Sequence, residues 1–154
     1  MTRAEPGIRG KLALMRPFHC LLAFFALARW LQGSFGVPYE RGHFVFSIVT
    51  LTVVSCVYYG AFARRWRGYS LMECLVLGVA LGLSAQIVIF AATLLSYGLG
   101  LHTYFNHPIA LNAPGELPLA EAIGVRLGGL LGNSIFAGLL GVLGWALGGL
   151  LPKD

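Results

Sequence analysis

The chain has 154 residues, 57% of them hydrophobic and 11% charged, with a formal net charge of +5. Soluble domains hold roughly 45–50% apolar and about 25% charged residues, so this chain cannot clothe a soluble fold of its size in polar groups. A disordered chain, a basic nucleic-acid-binding domain and a soluble enzyme are excluded as readings, and an integral membrane protein is expected, with the lipid bilayer as its first partner and no nucleic acid.

A helix crosses the hydrocarbon core with about 20 predominantly apolar residues. The first stretch that qualifies runs about 17–38, behind the basic lead Arg3, Arg9, Lys11 and Arg16. Residues 1–28 also have the outline of a secretory leader, with a small-residue end at Ala26-Leu27-Ala28. The following Arg29-Trp30 opens no polar mature domain, so a retained span is expected. The second stretch runs about 43–63 and ends at Arg64, Arg65 and Arg67. The third runs about 71–97. An outer segment, 98–121, follows, half apolar and broken by three prolines and three glycines. It is expected to lie along the interface or over the mouth of the bundle. The fourth stretch runs about 122–151. Within the four stretches stand three charges: Arg29, Glu73 and Arg126. Backbone polar groups in lipid must be satisfied internally, so the expected fold class is all-α, a single membrane domain built as a four-transmembrane-helix bundle.

Positive charge marks the cytoplasmic side of a membrane protein. Eight Lys and Arg residues flank one side of the four-span arrangement and Arg41 alone flanks the other. Both termini are therefore expected in the cytoplasm, with the chain in the cell (inner) membrane.

The fourth stretch contains nine of the 21 glycines. Gly124, Gly128 and Gly132 are four apart, and Gly138, Gly141, Gly144 and Gly148 follow; Gly78 and Gly82 repeat the spacing in the third. Stripes of small residues let helix backbones approach closely, so these positions are read as packing sites, within the chain or between copies.

Polar side chains inside a membrane are costly and are candidate site residues. Arg29, Thr52, Gln86 and Asn133 lie 9–11 residues from the outer ends of their stretches, or about 13–17 Å deep at 1.5 Å per residue. They form a candidate polar pocket with Arg29 as its anion contact. Unpaired, such an arginine costs about 2.5–3.5 kcal/mol to insert. Arg126, near the start of its stretch, is expected to snorkel, and Glu73 to form an interfacial ion pair with the arginines that precede it.

His43, His102 and His107 fall on the outer side and are weak metal or haem candidates, without the tight spacing of a ligand set. The cysteines, Cys20, Cys56 and Cys74, form no disulfide framework or zinc pattern. No G-x-S-x-G, H-E-x-x-H or S-x-x-K sequence occurs, and no catalytic residue or cofactor is assigned. The leading functional expectation is a non-enzymatic protein that self-associates or serves as an accessory subunit of a membrane complex. A channel or transporter for an anionic or polar solute comes second, and a haem- or metal-binding redox subunit third.

Overall fold

A computed structural model describes residues 8–152, apart from the side chains of Ile8, Arg9 and Lys11. The basic positions Arg3, Arg9, Lys11 and Lys153 therefore lie outside the described side chains. Among the described residues every regular element is helical. In chain order these are α1 (Ile8–Ser34), a short α2 (Tyr39–Gly42), α3 (Ile48–Phe62), a π-helical turn (Ala63–Arg67), α4 (Leu71–Gly98), a 3-10 turn (Pro108–Leu111) and α5 (Leu119–Gly148).

Three helices are long and apolar enough to cross a membrane: Leu12–Ser34 within α1, α4 and α5. The fourth expected span is shorter than its sequence stretch. Residues 43–47 form a turn in which Phe46 takes a left-handed φ of 54°, and the helix starts only after Ser47, whose hydroxyl accepts from the Thr50 amide at 3.3 Å. That leaves α3 with 15 residues. The basic turn that follows ends at Gly68, with φ +69°, a conformation that suits a residue without a Cβ. Ser70 and Glu73 then start α4 with a capping box: the Ser70 amide donates to Glu73 Oε2 at 2.9 Å, and the Glu73 amide to Ser70 Oγ at 3.3 Å.

The helices face outward with their large side chains. Phe24, Val54, Ile87, Leu131 and Ile135 are all more than half exposed, an arrangement that water would penalise and hydrocarbon would not. Small residues lie inside. A Cβ on Gly78 would strike the Ala137 carbonyl, on Gly141 the Cys74 carbonyl, on Gly144 the Val57 backbone and on Gly148 the Ala61 backbone. Gly82 and Gly138 would meet the side chains of Ala137 and Val79. The backbones of α3, α4 and α5 thus run almost in contact, and the thiols of Cys56 and Cys74 donate across the α3–α4 contact to the carbonyls of Gly78 and Gly60. Gly124, Gly128 and Gly132 are different: a Cβ there would meet nothing within 4 Å. Helix α1 lies against α4, where His19 Nε2 is 3.1 Å from Ser84 Oγ and the Trp30 indole donates to Ser96 Oγ at 3.2 Å.

At one end of the bundle Arg64 donates to the Trp145 carbonyl and covers its ring. At the other end residues 99–118 fold back over the helices as a cap.

Candidate anion site beneath the cap

The cap is built from its own polar groups. Asn106 Oδ1 accepts from the Thr103 amide at 2.8 Å and its Nδ2 donates to the Leu101 carbonyl at 2.9 Å, which closes a tight loop. Thr103, Tyr104, Phe105 and Leu111 point inward and are almost fully buried. Three tyrosine and threonine hydroxyls tie this loop to separate parts of the chain. Thr103 Oγ1 lies 2.7 Å from Ser96 Oγ on α4. The Tyr104 phenol donates to the carbonyls of Val37 and Pro38, at 2.9 and 3.0 Å, and the Tyr97 phenol donates to the Leu117 carbonyl at 2.6 Å. A Cβ on Gly33 would overlap the backbone of Thr103 and Tyr104, so at this point α1 meets the cap backbone through a glycine. Burial pushes the Tyr104 phenol above its ordinary pKa, with the Arg29 guanidinium acting in the opposite direction.

Under the cap, Arg29 from α1 and Arg126 from α5 line one cavity of about 110 Å³, several times the ~30 Å³ that a water molecule occupies in the liquid. Tyr39, Tyr104, Phe105 and Ser47 complete its polar and aromatic side, and Ile48, Val49 and Ile89 its apolar side. Arg126 is held by three acceptors: Nε donates to Thr93 Oγ1 at 3.0 Å, Nη1 to the Ala110 carbonyl at 3.3 Å and Nη2 to the Phe105 carbonyl at 2.5 Å. Arg29 Nη1 donates to the His43 carbonyl at 2.8 Å, and its guanidinium lies 5.3 Å from the Tyr104 ring centroid and 5.8 Å from that of Tyr39. Every one of these partners is neutral. Among the described residues, no carboxylate lies within ion-pair distance of either arginine; the carboxylate contact seen at this end joins Glu116 to His102, at 3.8 Å and well exposed. Carbonyls and ring faces solvate a guanidinium, but they leave its charge in place.

Thr52, Gln86 and Asn133 surround a neighbouring cleft of about 160 Å³ between α3, α4 and α5. Ile48, Val49 and Ile89 line both spaces. Thr52 satisfies its hydroxyl on the Ile48 carbonyl at 2.7 Å. The side chains of Gln86 and Asn133 converge near Gly129, where a Cβ would meet Asn133 Nδ2 and Gln86 Oε1 at 3.4 and 3.5 Å. Three of the four polar residues expected in one layer thus share a cleft, and the fourth, Arg29, lies in the adjoining cavity. Arg126, treated in the sequence as a snorkelling residue, joins Arg29 there. The sequence signal for Arg126 was its place among the three charges inside the apolar stretches; its pairing with Arg29 depends on the cap, which no spacing rule describes.

The histidines do not gather into a ligand set. His43 Nδ1 is 3.0 Å from the Tyr39 carbonyl, and the rings of His43 and His107 both stack on Tyr39, at centroid distances of 5.3 and 4.4 Å. His102 borders an open recess of about 470 Å³ with Glu116, Asn106 and His107. Among the described residues no group of three His, Cys, Asp or Glu side chains is placed to hold a metal ion.

No known protein family matches the chain, and no curated protein or solved structure is similar to it.

Proposed function

We propose that this is a non-enzymatic membrane protein of four spans, with both termini in the cytoplasm, whose capped end binds an anionic group between Arg29 and Arg126. One observation carries the reading: two arginines line the same small cavity, and their guanidinium groups are contacted only by neutral acceptors. Two like charges held together in a poorly hydrated site are mutually repulsive, and an anion between them removes that repulsion. The cavity lining offers neither a nucleophile paired with a base nor a carboxylate, so binding is favoured over bond-breaking. The fourth span in this proposal is α3, whose 15 residues are shorter than the about 20 of a full crossing, flanked by the turn at 43–47 on one side and the basic Ala63–Arg67 turn on the other.

The test is thermal unfolding in mild detergent with and without inorganic phosphate or sulfate. Binding to the folded state raises Tm in proportion to RT ln(1 + [L]/Kd). The expected result is a rise in the natural chain that disappears in Arg29→Gln and in Arg126→Gln. An equal rise in all three proteins, or none in the natural chain, sinks the proposal. The same cavity would serve a transporter of a small anion, and anion flux into liposomes that collapses in Arg29→Gln distinguishes carriage from binding.

A second reading concerns assembly. Gly124, Gly128 and Gly132 leave an open strip on the helix whose other glycines are covered by α3 and α4. We propose this strip as the seat of a second copy or of another membrane subunit. Native mass spectrometry that finds monomer alone, in mild detergent and in lipid nanodiscs, rejects it.

A further inference from the structure

The anion cavity does not end at the arginines. Its apolar wall, Ile48, Val49 and Ile89, is also the upper wall of the cleft between α3 and α5. That cleft continues past Val53, Phe136 and Leu140. On α5, Asn133 stands seven residues beyond Arg126, or about 10 Å further along the axis. The geometry points to an amphiphile as the occupant: a membrane lipid with a phosphate-bearing anionic headgroup between Arg29 and Arg126, and an acyl chain laid in the α3–α5 cleft. This inference rests on the anion-binding reading above and specifies the class of ligand.

Three observations favour a lipid over a free ion. First, the positive end of the site and the apolar end share side chains, so a ligand with one charged and one hydrocarbon end contacts both without a break. Second, the cleft wall opens on a surface of exposed apolar residues: Val49, Val54 and Phe136 are each more than half exposed, so a chain enters sideways from the hydrocarbon and needs no passage through the cap. Third, the carboxamides of Gln86 and Asn133 line the cleft, and their N–H groups suit the ester carbonyls of a glycerolipid, which accept hydrogen bonds. Charge attraction at the headgroup and burial of the chain act together in lipid recognition. The cap has the complementary role. Tyr104 and Tyr39 from the capped end line the arginine cavity together with Ile48, Val49 and Ile89, which it shares with the cleft.

The experiment is native mass spectrometry of the detergent-purified protein with added dioleoyl phosphatidylglycerol or dioleoyl phosphatidylcholine, paired with the phosphate-dependent Tm shift. The variants are Arg29→Gln with Arg126→Gln, Val53→Trp, and Leu140→Phe, which narrows the cleft from the opposite wall should the tryptophan prevent folding. The expected result is phosphatidylglycerol retained at least tenfold more strongly than phosphatidylcholine. The double arginine variant should lose that preference. The cleft variants should lose lipid but keep the phosphate-dependent Tm shift. Phosphatidylglycerol bound equally with the cleft filled, or a phosphate shift with no lipid retention, overturns the lipid assignment and leaves the anion site standing. A natural chain that responds to neither probe overturns both.

Discussion

Two glycine-to-alanine changes on the same helix should act in opposite directions. At Gly144 an added methyl meets the Val57 carbonyl, carbonyl carbon and Cα. These are backbone atoms, so no side chain can rotate away, and α3 and α5 must separate. Overpacking costs about 1–3 kcal/mol, and rigid backbone neighbours place this site at the upper end. Alanine recovers about 1 kcal/mol over glycine in a helix interior, which leaves a net loss of about 2 kcal/mol. At Gly128 nothing lies within 4 Å, so Gly128→Ala keeps the full propensity gain of about 1 kcal/mol. For a chain of this size 1 kcal/mol moves Tm by roughly 2–4 °C. Gly144→Ala should lower Tm by about 4–8 °C and Gly128→Ala should raise it by about 2–4 °C, each measured by thermal unfolding in a detergent that keeps the chain monomeric. Shifts of the same sign at both positions would refute the assignment of Gly144 to a backbone contact and of Gly128 to an open face.

The cap has a pH signature. Because burial raises the Tyr104 pKa in the fold, its neutral phenol contributes stability that is complete below the unfolded value, near pH 10, and is lost as pH rises through the higher folded value. Tyr104→Phe should cost about 1 kcal/mol at neutral pH, through the bonds to Val37 and Pro38. Its Tm should also fall less steeply than that of the natural chain above about pH 10; parallel curves would count against the buried phenol. Ser70→Ala removes the capping box and should cost about 1 kcal/mol, with faster hydrogen exchange at the Glu73 amide and none of the change reaching the cap.

The three helices long enough to span were legible because their apolar runs are long and each run holds a single charge, Arg29, Glu73 or Arg126. The stretch at 71–97 differs from α4 by a single residue, since Ser70 and Glu73 mark its start with local chemistry. The stretch at 43–63 fared differently. His43, Phe44, Val45 and Phe46 are as apolar as a helix requires, but Phe46 turns the chain and Ser47 caps it, so composition overran the helix start by five residues. The glycine spacing showed that backbones could approach, but not which face would do so; Gly124 and Gly144 look alike in the sequence and differ entirely in their surroundings. Depth counted along each helix placed Arg29 with Thr52, Gln86 and Asn133. It did not register that α1 packs on α4 at the side of the bundle, where the nearest acceptor for Arg29 is the His43 carbonyl. Two of the three partners of Arg126 leave no mark in the sequence, because Phe105 and Ala110 contact it through backbone oxygens that every residue carries; the third is the Thr93 hydroxyl.

The arginine cavity also sets an order of events in synthesis. One of its cations comes from the first helix and the other from the last, and their common roof is spelled between them. Helices form from local contacts, whereas closure over a long separation in sequence comes late. A nascent chain halted before Leu119 already carries Arg29, Tyr39 and the whole roof, yet Phe105, Ala110 and Thr93 still lack the guanidinium that joins them. Those three contacts form only when α5 is in place. They therefore distinguish a chain that carries α5 from one halted before it.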